Sequence, residues 1–287
     1  MMKAFSLGRA FGIPIYIHSS FLLLPLLALL LQWSNGVMGL VFSQLLLAAV
    51  FACVLLHELG HALMGRLFGI VTRDITLYPI GGVARMESTG RKPFEEVCIS
   101  LAGPAVNLFI LLLLSPLVAA AALSGLPLNP ASAVDHGPLA LLGSYLASLW
   151  VANLMLVAFN LMPVFPMDGG RVLRAILSTW LGALRATELA AALALVLAVV
   201  MGLAGLLLGA PTLILVAVFV IFAGQMELHG LRHHQASQRL QPVETVQVVA
   251  PLQAGGFSGF TGLAWDPAHR VWVRWVNGHP VEVHHGN

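Results

Sequence analysis

The sequence predicts an all-α polytopic membrane protein of about six transmembrane helices with a small C-terminal β segment. Three observations carry this. Of 287 residues, 59% are hydrophobic and only 9% charged, whereas about 25% of a soluble domain is charged. The apolar residues gather in runs long enough to cross a bilayer, at about 20 residues each. All 14 Lys and Arg residues fall in alternate connections between those runs, the one-sided bias that sets membrane topology.

The runs lie near residues 18–34, 39–65, 95–123, 139–164, 185–208 and 210–229, with only 208–211 between the last two. The first lacks a small-residue cleavage site after it, so it is expected to remain as a span and not leave as a signal peptide. Lys3 and Arg9 precede span one; Arg66, Arg73, Arg85, Arg91 and Lys92 follow span two. Arg171, Arg174 and Arg185 follow span four, and Arg232, Arg239, Arg270 and Arg274 follow span six. The connections near 35–38, 124–138 and 208–211 hold no Lys or Arg. Both termini are therefore expected in the cytoplasm. A net charge of +2 calls for no nucleic-acid partner, because the basic residues already serve topology. Cys53 and Cys98 lie in apolar segments and imply no disulfide framework.

Span two contains His57-Glu58-Leu59-Gly60-His61, an H-E-x-x-H signature. Residues four apart share a helix face, so His57 and His61 can offer two imidazoles to one metal ion while Glu58 serves as general base. Gly60 leaves room for a close neighbour. Cys53 shares the stripe, but its separation from His61 along the axis, about 12 Å, is too great for one ion.

A catalytic zinc takes three protein ligands. The H-E-x-x-H lies near the end of span two marked by Arg66, and span four ends at the same face with Asn160-Leu161-Met162-Pro163-Val164-Phe165-Pro166-Met167-Asp168-Gly169-Gly170-Arg171. Depth selects Asp168 as the third ligand. Pro163, Pro166 and the Gly169-Gly170 pair predict irregular backbone there, tolerated at membrane depth only when buried or lining a wet cavity. The alternative reading of Asp168 is a cap on a helix running from about Arg171 to Leu181.

These segments resemble the site-2 protease family of intramembrane zinc metalloproteases over about residues 5–230. Gly8-Arg9-Ala10-Phe11-Gly12-Ile13-Pro14 with His18 is similar to that family's N-terminus. His57, Glu58 and His61 match its metal and base motif. Asn160, Pro163, Pro166, Asp168 and Gly169 match N-x-x-P-x-x-P-x-D-G, with Met167 where leucine is usual. Gly81 and Gly82, in Leu77 to Ala84, resemble its membrane-associated hairpin, so the resemblance adds a short membrane-associated β-hairpin to the expected fold, and Ala102-Gly103-Pro104-Ala105-Val106-Asn107 resembles the helix that follows.

The resemblance implies a zinc-dependent endopeptidase with one Zn2+ per chain, held by His57, His61 and Asp168, with Glu58 catalytic and the site near the cytoplasmic face. Gly81, Gly82, Asn107 and Asn160 become candidate substrate-binding residues. For Asn107 an interhelical hydrogen bond is equally compatible. The implied partner is a single-span membrane protein, such as a membrane-tethered transcription regulator, cut in or near its span in a bacterial or archaeal cell membrane. A catalytically silent membrane scaffold and a metal transporter are the competing readings. Glu58 beside intact ligands argues against the first, and spans one, five and six, almost blank at mid-depth, argue against the second.

Asn153 and Asn160, seven apart, share a face of span four and are read as helix-to-helix contacts, with Asn160 nearer the site. Glu227, His229, His233 and His234 are read as solvated residues at the end of span six. The chain is expected to divide into a membrane-embedded domain, 1–232, and a cytoplasmic tail, 233–287, with no PDZ or CBS module. In the tail, Val271 to Val276, Asn277-Gly278 and Pro280 to Val283 predict a hairpin with a type I′ turn, and Gly262 to Trp265 a third strand. So small a meander is marginal alone and is expected to pack on the membrane domain, on another chain or on itself in a homo-oligomer.

Overall fold

The computed structural model describes residues 4–87, 92–133, 136–211, 213–218, 220–222, 224–225, 259–266 and 271–284. Two compact units divide at Leu228/His229.

The first unit opens with a hairpin that the sequence reading did not anticipate. Strands β1 (Ala4–Ala10) and β2 (Ile13–His18) pair antiparallel through the two-residue turn Phe11-Gly12, both at positive φ, 52° and 84°. After His18 come a short 3-10 turn and helix α1 (Leu23–Leu31), then α2 (Gly36–Leu67). Strands β3 (Thr72–Tyr78) and β4 (Gly81–Met86) form the expected hairpin. It is part of a larger sheet: β3 also pairs parallel with β2, giving the order β1-β2-β3-β4 with β4 at one edge. The sheet rests on α2 through Ile13 and Ile75 against Leu59 and Ala62, so it covers the helix turn that carries His57 and His61.

Helix α3 (Pro93–Leu123) begins with proline at its first position and Glu95 accepting from the Lys92 backbone N–H. A single turn, α4 (Pro130–Ala133), precedes α5 (Pro138–Asn160). An irregular segment follows, then α6 (Asp168–Leu181) and α7 (Ala183–Leu207). α3 packs against α2, α5 and α6, and α6 against α7. Beyond α7, the apolar stretch Leu213–Phe222 returns against it, with Val164, Ala194, Ala198, Ala217 and Val220 forming a buried cluster.

Among the described residues four helices, α2, α3, α5 and α7, are long and apolar enough to cross a membrane. The apolar helices in the positions expected for spans one and six, Ser19–Leu31 and Leu213–Phe222, are shorter. Span one shortens because β2 takes the chain up to His18, and the fourth run ends as helix at Asn160 because Pro163 and Pro166 cannot continue it.

The second unit contains strands β5 (Gly262–Asp266), β6 (Val271–Val276) and β7 (His279–His284), an antiparallel sheet in that order. Asn277 and Gly278 both have positive φ, 50° and 79°, as a primed two-residue turn requires. Val271, Val273 and Trp275 alternate inward. Glu227, His229, His233 and His234 lie outside the described residues.

Candidate metal centre

Three side chains from two helices converge. His57 and His61 lie on successive turns of α2, and Asp168 is the first residue of α6; all three are buried. The Nε2 atoms of the two histidines are 3.1 Å apart, and Asp168 Oδ2 is 3.1 Å from one and 3.2 Å from the other. Asp168 thus sits at a helix start, as its capping alternative also required, while its carboxylate faces the imidazoles. Helix α6 begins three residues earlier than the sequence implied because Gly169 and Gly170 fit tightly under the backbone of 161–165. A Cβ on Gly170 would lie 2.5 Å from the Val164 carbonyl carbon.

This triangle fits a metal ion. His61 Nδ1 lies 2.7 Å from the Ile99 carbonyl oxygen, and His57 Nδ1 lies 2.7 Å from Asn107 Oδ1. Those oxygens accept, so both rings donate from Nδ1 and each Nε2 carries a lone pair. Three lone-pair atoms then face one another with no proton between them, an arrangement a cation reconciles. A tetrahedral zinc with bonds of about 2.0–2.1 Å has ligand-to-ligand edges of about 3.3–3.4 Å, close to the observed triangle.

Small residues make the space. A Cβ on Gly103 of α3 would lie 2.7 Å from His57 Nε2 and 2.6 Å from His61 Cε1, and one on Gly60 would lie 2.8 Å from the Ala102 carbonyl oxygen. Gly60 therefore admits α3, as its small size implied, and Gly103 admits the two rings.

Glu58 lines a cavity of about 400 Å³ together with His57, His61 and Asp168, within the ~300–1,000 Å³ range of ligand sites. One wall is the β3–β4 hairpin from Tyr78 to Ala84 with Met86, and another is Asn160, Pro166, Met167 and Arg171. Glu58 Oε2 accepts from the Ala84 backbone N–H of edge strand β4 at 3.2 Å. Gly82 lies so close that its Cβ would come within 2.5 Å of Glu58 Cγ.

The expected site residues divide. Gly81, Gly82 and Asn160 line the cavity. Asn107 does not: it is fully buried, with its oxygen on His57 and its nitrogen on Asn153, so its side chain is occupied by the metal centre and is not open to substrate. Cys53 is buried and accepts from Asn153, consistent with packing.

Sequence reading missed Glu96 and Arg174, a pair joining the first turns of α3 to α6, with Arg174 over the Phe165 ring. The signal available was a second acid at the head of an apolar run. It also missed that Tyr78 and Arg171 reach the cavity.

Comparison with known proteins agrees with this geometry. A zinc metalloprotease of Methanocaldococcus jannaschii is 38% identical over 229 residues, which are 79% of this chain and 61% of that protein. Stage IV sporulation protein FB of Bacillus subtilis is 27% identical over 143 residues, 49% of this chain and 43% of its own. The chain thus spans under two thirds of the length of these relatives. The solved structure of the site-2 protease from Methanocaldococcus jannaschii matches with a TM-score of 0.56 at 37% identity, over 79% of this chain and 95% of that one. The model of Peptidase family M50 matches residues 45–204, a stretch that includes His57, Glu58, His61 and Asp168, and the chain belongs to that family.

Proposed function

We propose that this protein is a zinc-dependent intramembrane endopeptidase that hydrolyses a peptide bond in or near the transmembrane segment of a single-span membrane protein. The observation that carries the reading is the convergence, in one cavity, of a three-ligand triangle, a carboxylate not needed as ligand, and an open strand edge. A purely structural metal site has no use for Glu58.

Bound zinc supplies a Lewis acid for the scissile carbonyl and acidifies water to a pKa of about 7. His57, His61 and Asp168 hold it. Glu58 takes a proton from the attacking water and delivers it to the leaving amine. The substrate lies extended along β4, because a helical peptide bond is closed within its own hydrogen-bond ladder and an edge strand offers replacement partners. Gly81 and Gly82 let it approach, and Asn160 faces it from the opposite wall.

Strands β2 and β3 are neighbours in one sheet, so the chain between them crosses the bilayer an even number of times. With α2 as one crossing, the apolar stretch 19–35 is the other. This supports six crossings, both termini on the side that holds every Lys and Arg, and a site near the cytoplasmic face. A membrane-tethered transcription regulator is a substrate that fits this placement.

The test is purified protein with zinc, wild type against Glu58→Gln, incubated with single-span peptides. Cleavage by wild type that disappears in Glu58→Gln, with zinc still bound, is expected. Zinc-loaded wild type that cuts none of them would favour a membrane scaffold.

A further inference from the structure

Buried polar groups continue past the metal centre into the middle of the helix bundle. Asn107 on α3 and Asn153 on α5 are both fully buried, in membrane-crossing helices where amides are costly to place. Asn107 Nδ2 donates to Asn153 Oδ1 at 2.9 Å, and Asn153 Nδ2 donates to the Leu149 carbonyl oxygen at 2.9 Å and to Cys53 Sγ at 3.4 Å. Asn107 Oδ1 faces His57 Nδ1 at 2.7 Å.

The direction of this chain is forced from its far end. The Leu149 carbonyl can only accept, so Asn153 must turn its NH2 toward it and its oxygen toward Asn107. Asn107 must then turn its NH2 toward Asn153 and its oxygen toward His57, and His57 must carry its proton on Nδ1. The lone pair is left on Nε2, facing His61 and Asp168. Were Asn107 reversed, its NH2 would meet His57, the proton would move to Nε2, and the ligand atom would be lost. His61 needs no such chain, because its Nδ1 meets the Ile99 backbone carbonyl directly.

We infer that Asn153 is a positioning residue for the metal centre: through Asn107 it fixes the amide orientation that holds His57 in its metal-binding tautomer. This rests on the metal-centre reading above and goes beyond it. An ordinary interhelical contact would pack α3 on α5 but would not care which way each amide points.

That difference sets the experiment. The zinc dissociation constant is measured by chelator competition on the full chain in detergent, with visible spectra of the cobalt(II) form and melting of the metal-free form. Asn153→Leu removes the acceptor at similar volume, and zinc affinity is expected to fall about 10- to 100-fold, the usual effect of losing an outer partner of a ligating histidine. In an Asn107→Asp background the same change is expected to move affinity by less than about 2-fold, the non-additivity of residues that act through one another, because either oxygen of a carboxylate accepts from His57. Asn153→Asp, protonated so that its hydroxyl donates to the Leu149 carbonyl, keeps an accepting oxygen opposite Asn107 and is expected to bind zinc like wild type; should Asn153→Leu not fold, a loss of zinc affinity in Asn153→Asp overturns the inference. Equal losses in both backgrounds, or undiminished zinc binding by Asn153→Leu, overturn the inference while leaving the metal centre standing. Failure of wild type itself to bind zinc would remove both.

Discussion

Replacing Gly103 by alanine adds one methyl group where the metal ligands meet. The new Cβ would lie 2.6 Å from His61 Cε1 and 2.7 Å from His57 Nε2, against ordinary contacts of about 3.5–4.0 Å. Each ring must retreat by about 1 Å, several times the ~0.2 Å tolerance of a zinc-ligand distance. Zinc affinity is expected to fall at least about 100-fold, or about 2.8 kcal/mol. The helix is not the weak point: alanine improves helix propensity by about 1 kcal/mol, which offsets part of an overpacking cost of about 1–3 kcal/mol. Zinc competition and apo-protein melting on the same preparation separate the two effects. Gly82→Ala supplies the contrast, since its Cβ would strike Glu58 Cγ at 2.5 Å. It should keep zinc and lose about 10²–10⁴ in turnover, the worth of a general base. Wild-type zinc affinity in Gly103→Ala would refute the ligand triangle.

Ala84→Pro deletes the N–H that meets Glu58 on the outer side of an edge strand, where proline is tolerated. It should retain zinc and slow cleavage of a single-span substrate about 10- to 100-fold, in line with a charge-assisted hydrogen bond of about 1.5–3 kcal/mol; unchanged kinetics would show that this donor is dispensable. Glu96→Ala removes the α3 partner of Arg174 on α6. Loss of a charged hydrogen bond costs about 1.5–3 kcal/mol, and because α6 carries Asp168, apo-protein melting temperature and zinc affinity are expected to fall together; a drop in neither would assign the pair no role. Removing zinc by dialysis against a chelator should abolish cleavage and lower the melting temperature, with zinc at 100 times its dissociation constant restoring about 2.7 kcal/mol. Melting that ignores zinc would place the metal outside the folded core.

The sequence made some of this legible and hid the rest for identifiable reasons. The triangle was readable because helical spacing fixes His57 against His61, and depth, from Arg66 and the Pro163–Pro166 break, selected Asp168. The tail hairpin was readable because Asn277-Gly278 is the common chemistry of a primed turn. Phe11-Gly12 makes the same kind of turn with a bulky residue at φ 52°, so β1 and β2 left no turn signal, and the four-stranded sheet was read as a lone hairpin. Asn107 was left between two roles for another reason. An asparagine about four turns into an apolar helix reads alike whether its amide meets substrate or a ligand, and only its pairing with His57 and Asn153 distinguishes them.

Lipid offers helices little hydrophobic reason to associate, so they pack where small residues let backbones approach. Gly60 admits the Ala102 carbonyl, Gly103 admits the two imidazoles, and Gly170 admits the Val164–Phe165 backbone. The crossing of α2 and α3 is therefore close, and the start of α6 is held against the 161–165 backbone, because of residues that also leave a gap one ion wide between Nε2, Nε2 and Oδ2. Metal binding and helix packing are coupled at that point. A methyl group added at any of these three glycines must either push apart packed backbone or displace a ligand, and zinc affinity measured beside apo-protein melting tells which. At Gly60 and Gly170 the nearest obstructing atoms are backbone, which cannot swing aside, so melting should fall first; at Gly103 they are imidazole atoms, so zinc affinity should.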